Sequence, residues 1–182
     1  MRPFRLGRVD QEFWILDFET TGIVEDSDPI EIGIIICDSN FNVKSTYETL
    51  IRSDLVECDT LTPPYWNPEA EGAYEIHGIS AKECLTGKVI TDVALEIMTI
   101  ASKKTVKPVL VSDNIQFEWK FMKKILDSIQ AKWPFHYCGW DTSLFLEACG
   151  VGDPTPAHRA LADAGLLHTA IVNALYKSRE LR

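Results

Sequence analysis

The chain has 182 residues, 46% of them hydrophobic, and a formal net charge of −9. Its length suits one globular domain over residues 1–182, with room for roughly five or six strands, and its acidity excludes a protein that holds nucleic acid mainly by coating phosphates with Lys and Arg. No stretch approaches the roughly 18 apolar residues of a membrane span, and Met1-Arg2-Pro3-Phe4-Arg5 leads into no apolar signal core, so a cytoplasmic protein without membrane contact is expected.

The first half reads as strands. Residues 12–18 are near-continuously apolar and aromatic, as a strand covered on both faces should be. Residues 30–37 and 43–51 follow, separated by the turn-rich segments Glu25-Asp26-Ser27-Asp28-Pro29 and Asp38-Ser39-Asn40, which predicts an antiparallel meander. Pro63, Pro64 and Pro68 interrupt the next stretch, with a short helix expected at 68–75. From there the pattern alternates: helix 92–102, strand 109–112, helix 117–130, strand 135–140, helix 142–148 and helix 160–176. Three strands followed by this alternation predict an α/β fold, a mixed sheet with helices on its faces. Five cysteines, Cys37, Cys58, Cys84, Cys138 and Cys149, are an odd number without a C-x-x-C pair. They read as reduced, mostly buried thiols rather than a disulfide framework or structural zinc site. Seven of the 18 basic residues fall between Lys103 and Lys132, while residues 54–96 are mostly acidic. This split reads as solvated surface, with electrostatic steering of a strand as the alternative.

Acids occur where apolar residues belong. Alternation along the first strand puts Phe13, Ile15, Asp17 and Glu19 on one face, with the two acids at the C-terminal end, where open α/β sheets hold ligands. Two such charges about 6 to 7 Å apart repel by a few kcal/mol at an effective dielectric near 20. A bound cation would relieve that repulsion; an exposed acidic turn opening at Thr20-Thr21-Gly22 is the other reading. On the helix 117–130, Phe121, Met122, Ile125 and Ile129 lie within about 60° of Glu118, which therefore points toward the core. On the last helix Asp163 lines up with Leu166, Leu167, Ala170 and Ala174. A buried carboxylate without a partner costs several kcal/mol, and neither stripe contains a basic residue. Four carboxylates, Asp17, Glu19, Glu118 and Asp163, match two divalent cations about 3.5 to 4 Å apart, and oxygen-only ligation favours Mg²⁺ or Mn²⁺ over zinc. Such a cage suits in-line displacement at phosphorus, hence phosphodiester hydrolysis. His158, five residues before Asp163, is the best placed base. Pro154 and Pro156 predict that the helix starts after it, which leaves the imidazole on a mobile segment at the helix mouth. His77, His136 and His168 lack such a setting and read as structural, with His77 kept as a candidate substrate contact.

With these residues in place, the chain resembles the DnaQ-like 3′-5′ exonucleases of the DEDDh type over nearly its whole length. Asp17-Phe18-Glu19-Thr20-Thr21-Gly22 is similar to the family's first motif, Asn114-Ile115-Gln116-Phe117-Glu118 to its second, and His158-Arg159-Ala160-Leu161-Ala162-Asp163-Ala164 to its third. Pro29-Ile30-Glu31-Ile32-Gly33, His77-Gly78-Ile79-Ser80 and Asp141-Thr142 also fall where relatives carry similar text. The resemblance implies a ribonuclease H-like mixed β-sheet of about five strands flanked by helices on both faces. It implies metal ligation by Asp17, Glu19 and Asp163, His158 as general base, and Thr20 or Thr21 near the terminal 3′-hydroxyl, with Glu118 kept as the fourth ligand because of its helical face. Asn114, Phe117 and His77 join the expected substrate contacts, as does Trp66, which with Tyr65 would stack a base or else pack its own loop. The expected partners are the 3′ ends of single-stranded DNA or RNA, and a homodimer or a polymerase partner are the assemblies left open. The chain departs from the family pattern twice: Glu118 stands where Asp is usual, and Asp113 precedes Asn114 where His is usual. Asp113 is thus an alternative ligand or, at a strand end, equally a helix N-cap partner, and a weakened exonuclease-fold binding or scaffold protein is the competing function.

Overall fold

The computed structural model describes residues 8–53, 73–152 and 154–180. Its centre is strand β1 (Phe13–Thr20), whose apolar side chains are buried on both sides of the sheet. β1 pairs antiparallel with β2 (Pro29–Cys37), and β2 pairs antiparallel with the more exposed β3 (Val43–Leu50), which forms the edge. On its other side β1 runs parallel to β4 (Val109–Ser112), and β4 parallel to β5 (Trp140–Asp141), giving the order β3-β2-β1-β4-β5.

The two faces are covered by different helices because β1 and β2 are apolar at successive positions. Trp14, Leu16, Phe18, Ile32, Ile34 and Ile36 pack against α3 (Ile90–Ser102) and α4 (Ile115–Asp127). Phe13, Ile15, Ile35, Cys37 and Val111 pack against α5 (Ser143–Ala148) and α6 (Ala160–Glu180). A smaller cluster of Ile30, Ile79 and Cys84 joins the sheet to α2 (Ala81–Leu85), which follows α1 (Ala73–His77). This is the expected ribonuclease H-like α/β arrangement, a mixed sheet of five strands between helices. Among the described residues no helix is long and apolar enough to cross a membrane.

Several local expectations are corrected. The strand expected at 135–140 is only two residues long, because Trp133 and Phe135 reach the core as side chains of an irregular segment, edge to face with each other, Phe135 also with Trp14 and Trp133 with Trp119. Helix α2 was not expected; Ser80 and Glu83 form a reciprocal capping box that starts it. Leu166 is exposed, and the buried stripe of α6 runs instead through Ala164, Leu167, Ala170, Ile171 and Ala174. Cys37 and Cys84 are buried thiols, but Cys138 is exposed. Cys58, Tyr65 and Trp66 lie outside the described residues.

Candidate metal centre

The site is assembled by the register between β1 and β2. Asp17 lies opposite Gly33 and Glu19 opposite Glu31, so the face that carries Phe13 and Ile15 into the α6 core ends in two acids. The register shifts between Glu19 and Thr20, an irregularity of the kind that re-aims side chains beside functional sites. Gly33 lets the first turn of α6 approach: a Cβ there would stand 2.2 Å from Leu161 N and 2.3 Å from Ala160 C. Glu31, 1% exposed, accepts hydrogen bonds from the Arg159 guanidinium on both oxygens and from Ala160 N at 2.9 Å.

Beneath this contact the third motif turns sharply. His158 has φ 58, in the left-handed region that non-glycine residues enter at a cost. The helix begins at Ala160, so His158 sits ahead of its first turn, as the prolines predict. The Asp163 carboxylate reaches back to accept from Ala157 N at 2.5 Å and Arg159 N at 3.2 Å. The result brings oxygens of Asp17, Glu19 and Asp163 within 4.8 Å of one another.

Glu118 stands outside this trio but close enough to act on it. It is 2% exposed among Phe121, Met122 and Ile125, and its Oε2 has no hydrogen-bond partner among the described residues. Burial, and then the charges of Asp17, Asp113 and Glu19, push its carboxyl well above the usual range. Burial and the neighbouring Glu19, Asp163 and Asp113 push Asp17 up to about 9. Glu19 is pushed up to about 7 by burial and by Asp163 and Glu31, with Arg159 opposing. Arg159 has its guanidinium engaged by Glu31 and neutralises the trio poorly. Crowded carboxylates, Glu19 buried and Asp17 and Asp163 half-buried, with an orphaned oxygen beside them fit a hard divalent cation, which would favour their ionised forms.

Asp113 is exposed, but it lines a cavity of about 100 Å³ together with Asp17, Asp163, Pro154 and Pro156. A larger cavity of about 590 Å³ on the outer side of α4 is lined by Trp119, Trp133 and Tyr137 and contains none of these acids. Chemistry, not volume, picks the smaller one. The Thr20 hydroxyl donates to Gly22 O at 2.7 Å, and Thr21 Oγ1 accepts from Asp28 N at 2.9 Å, so both hydroxyls close the turn after β1. Asn114 is the N-cap residue of α4, with no cap bond from its side chain, and Phe117 packs edge-on against Phe121. Burial lowers His77 to about 4, against a hydrogen bond to the Thr20 backbone and with the charges of His158 and Arg159 acting in the same direction as burial. His77 Nδ1 accepts from Ile79 N at 3.0 Å. Glu31, Gly33 and Arg159 were given no site role from the sequence; the signals available were an acid and a glycine two apart in an isoleucine run and the place of all three in the stretches that carry the resemblance.

No model of a known protein family matches the chain, and no curated protein matches it by sequence. Solved structures do match. E. coli exonuclease I in complex with a dA16 oligonucleotide superposes with a TM-score of 0.73 at 19% identity, over 94% of this chain and 42% of that one. The zinc-bound form of the E. coli exonuclease I complex with single-stranded DNA gives 0.69 at 21% identity, again over 94% and 42%. The complex of exonuclease I with the C-terminus of single-stranded DNA-binding protein gives 0.70 at 17% identity and the same coverage. The chain therefore spans less than half the length of these proteins. It shares with them the ribonuclease H-like exonuclease fold, in agreement with the resemblance carried by its three motifs.

Proposed function

We propose that this chain is a metal-dependent 3′-5′ exonuclease domain that removes nucleotides from the 3′ end of single-stranded DNA, with RNA as a second candidate substrate. The observation that carries the reading is the convergence of Asp17, Glu19 and Asp163 within 4.8 Å at the end of the central strand, beside the buried Glu118, whose Oε2 has no hydrogen-bond partner among the described residues. The exonuclease I structures with oligonucleotides support single-stranded DNA as the substrate class.

Asp17, Glu19, Asp163 and Glu118 would hold two divalent cations, Mg²⁺ or Mn²⁺, with Asp113 as an alternative donor. When bound, such ions stabilise the charge that develops on the attacking and leaving oxygens of an in-line displacement. The chain's own residues do the rest. His158 accepts the proton of the attacking water, the general-base role that an imidazole commonly takes. Asp163 holds the turn that carries His158 by accepting from Ala157 N and Arg159 N. The Thr20-Thr21-Gly22 turn, Asn114, Phe117 and His77 surround the terminal nucleotide, and Trp66 is a candidate for stacking a base. Departure of the 3′ oxygen releases a nucleoside 5′-monophosphate. Relative to the Asp usual at this position, Glu118 adds a methylene that moves its carboxylate by about 1.5 Å, and a misplacement on the order of 1 Å can cost on the order of 100-fold in rate.

The test is digestion of matched DNA and RNA oligonucleotides labelled at the 5′ end, with Mg²⁺ or Mn²⁺, beside Asp17→Ala and His158→Ala. A ladder that shortens from the 3′ end and is absent in both variants supports the reading. Intact oligonucleotides with both metals would instead favour a binding or scaffold role.

A further inference from the structure

We infer that Glu31 and Arg159 are positioning residues that set the His158–Asp163 turn against Asp17 and Glu19. This deepens, and rests on, the exonuclease reading. Glu31 is nearly inaccessible and lies opposite Glu19 in the sheet register, where one more negative charge works against both Asp17 and Glu19. Only the Glu31 end of the pair is buried, the Arg159 side chain being half exposed, and such a pair is weak evidence of stability, since a solvent-screened ion pair contributes little and a well-packed apolar residue in place of the buried acid often serves as well or better. Helix α6 is already held to the sheet by Ala164, Leu167, Ala170, Ile171 and Ala174, so the pair is not needed to dock the helix as a whole.

What the pair does fix is the first turn. Arg159 donates from Nε to both Glu31 oxygens at 3.1 Å and from Nη2 to Oε1 at 2.6 Å, a fork that defines direction as well as distance. Ala160 N donates to the second oxygen at 2.9 Å, so Glu31 grips backbone and side chain of consecutive residues. Arg159 in turn meets Asp163 through its backbone: its N–H donates to Asp163 Oδ2 at 3.2 Å and its carbonyl accepts from Asp163 N at 2.9 Å. His158 is the residue immediately before this grip and carries the left-handed φ of 58. Gly33 completes the arrangement, because any Cβ there would push Leu161 away. Glu31 thus connects through Arg159 to both the imidazole and the carboxylate of the third motif without touching the reacting atoms.

The test uses Glu31→Gln, Arg159→Gln, Arg159→Lys and the double Gln variant. Oligonucleotide kinetics are measured together with melting in EDTA and in Mn²⁺. The expected result is a kcat lowered by about 10- to 100-fold, as for a small displacement of catalytic groups, with KM within about twofold and a smaller Mn²⁺-induced rise in Tm. The double variant should be no worse than the worse single one, and Arg159→Lys should fail to restore the wild-type rate, because a lysine lacks the fork. A lowered Tm in EDTA with unchanged kcat and an unchanged metal-induced rise would overturn the inference and leave the pair a structural tie. The metal titration needs no substrate. A wild-type protein that is stabilised by Mn²⁺ but hydrolyses nothing would therefore refute the exonuclease reading alone, while the clamp stands or falls on the size of the metal effect in the variants.

Discussion

Without divalent metal, the stability of this protein should fall as pH rises from about 4 to about 9. Asp17 is held up at about 9 and Glu19 at about 7, against ordinary values of 3.8 and 4.5. A carboxyl whose folded value exceeds its unfolded value binds its proton more tightly in the folded protein. Its stabilising contribution is complete below the unfolded value and is lost as pH rises through the folded one. At about 1.4 kcal/mol per pH unit, Glu19 alone accounts for roughly 3 kcal/mol between about pH 4.5 and 7, and Asp17 extends the loss to higher pH. A cation that binds the ionised carboxylates competes with these protons, so its effect should be large near about pH 8 and small near about pH 5. At a concentration 100 times its Kd it contributes about 2.7 kcal/mol, or roughly 5 to 11 °C in Tm for a chain of this size. Melting curves in EDTA and in Mg²⁺ or Mn²⁺ at the two pH values measure this directly, and Asp163→Asn should shrink the rise. A Tm in EDTA that does not fall with pH, together with no metal-induced rise near pH 8, would refute the cage.

Three further outcomes are expected. Gly33→Ala should cost about 3 kcal/mol or more, the upper end of overpacking effects, because the clash is with helix backbone rather than with a side-chain tip; an unchanged urea midpoint would contradict the close approach. Glu118→Gln should raise Tm in EDTA near neutral pH, because a side chain that is already neutral needs no proton uptake to be buried beside Asp17, while reducing both the metal-induced rise and hydrolysis; a lower Tm in EDTA would mean that the carboxylate is stabilised by the protein itself. His77, lowered to about 4 by burial, should remain neutral from about pH 5 to 8 in an NMR titration, and a midpoint near its ordinary value would contradict its buried setting.

Much of the site was legible in the sequence because burial and charge conflict there. Asp17 and Glu19 follow from strand alternation, Glu118 from the face it shares with Phe121 and Ile125, and the helix start after His158 from two prolines. The long periodic elements β1, β2, α3, α4 and α6 were recoverable for the same reason: their apolar pattern is the pattern of their burial. Segment 135–140 misled because its aromatics look like those of a strand, whereas Phe135, with Trp133 just before it, inserts as a side chain from an irregular backbone. Helix α2 is too short for periodicity to register, although Ser80 and Glu83 carry its capping signal. The function of Glu31 and Gly33 was not legible in one dimension. Their meaning lies in the cross-strand register that sets them beside Glu19 and Asp17, and in the approach of a helix more than 120 positions later in the chain.

The most direct test compares a linear and a circular single-stranded DNA of the same sequence, with Mn²⁺ present, by separating the products and identifying the first nucleotide released. The account predicts that the linear strand shortens stepwise from its 3′ end to nucleoside 5′-monophosphates, that the circle stays intact, and that Asp17→Ala abolishes the reaction. Cleavage of the circle, release from the 5′ end, or activity that survives Asp17→Ala would contradict it.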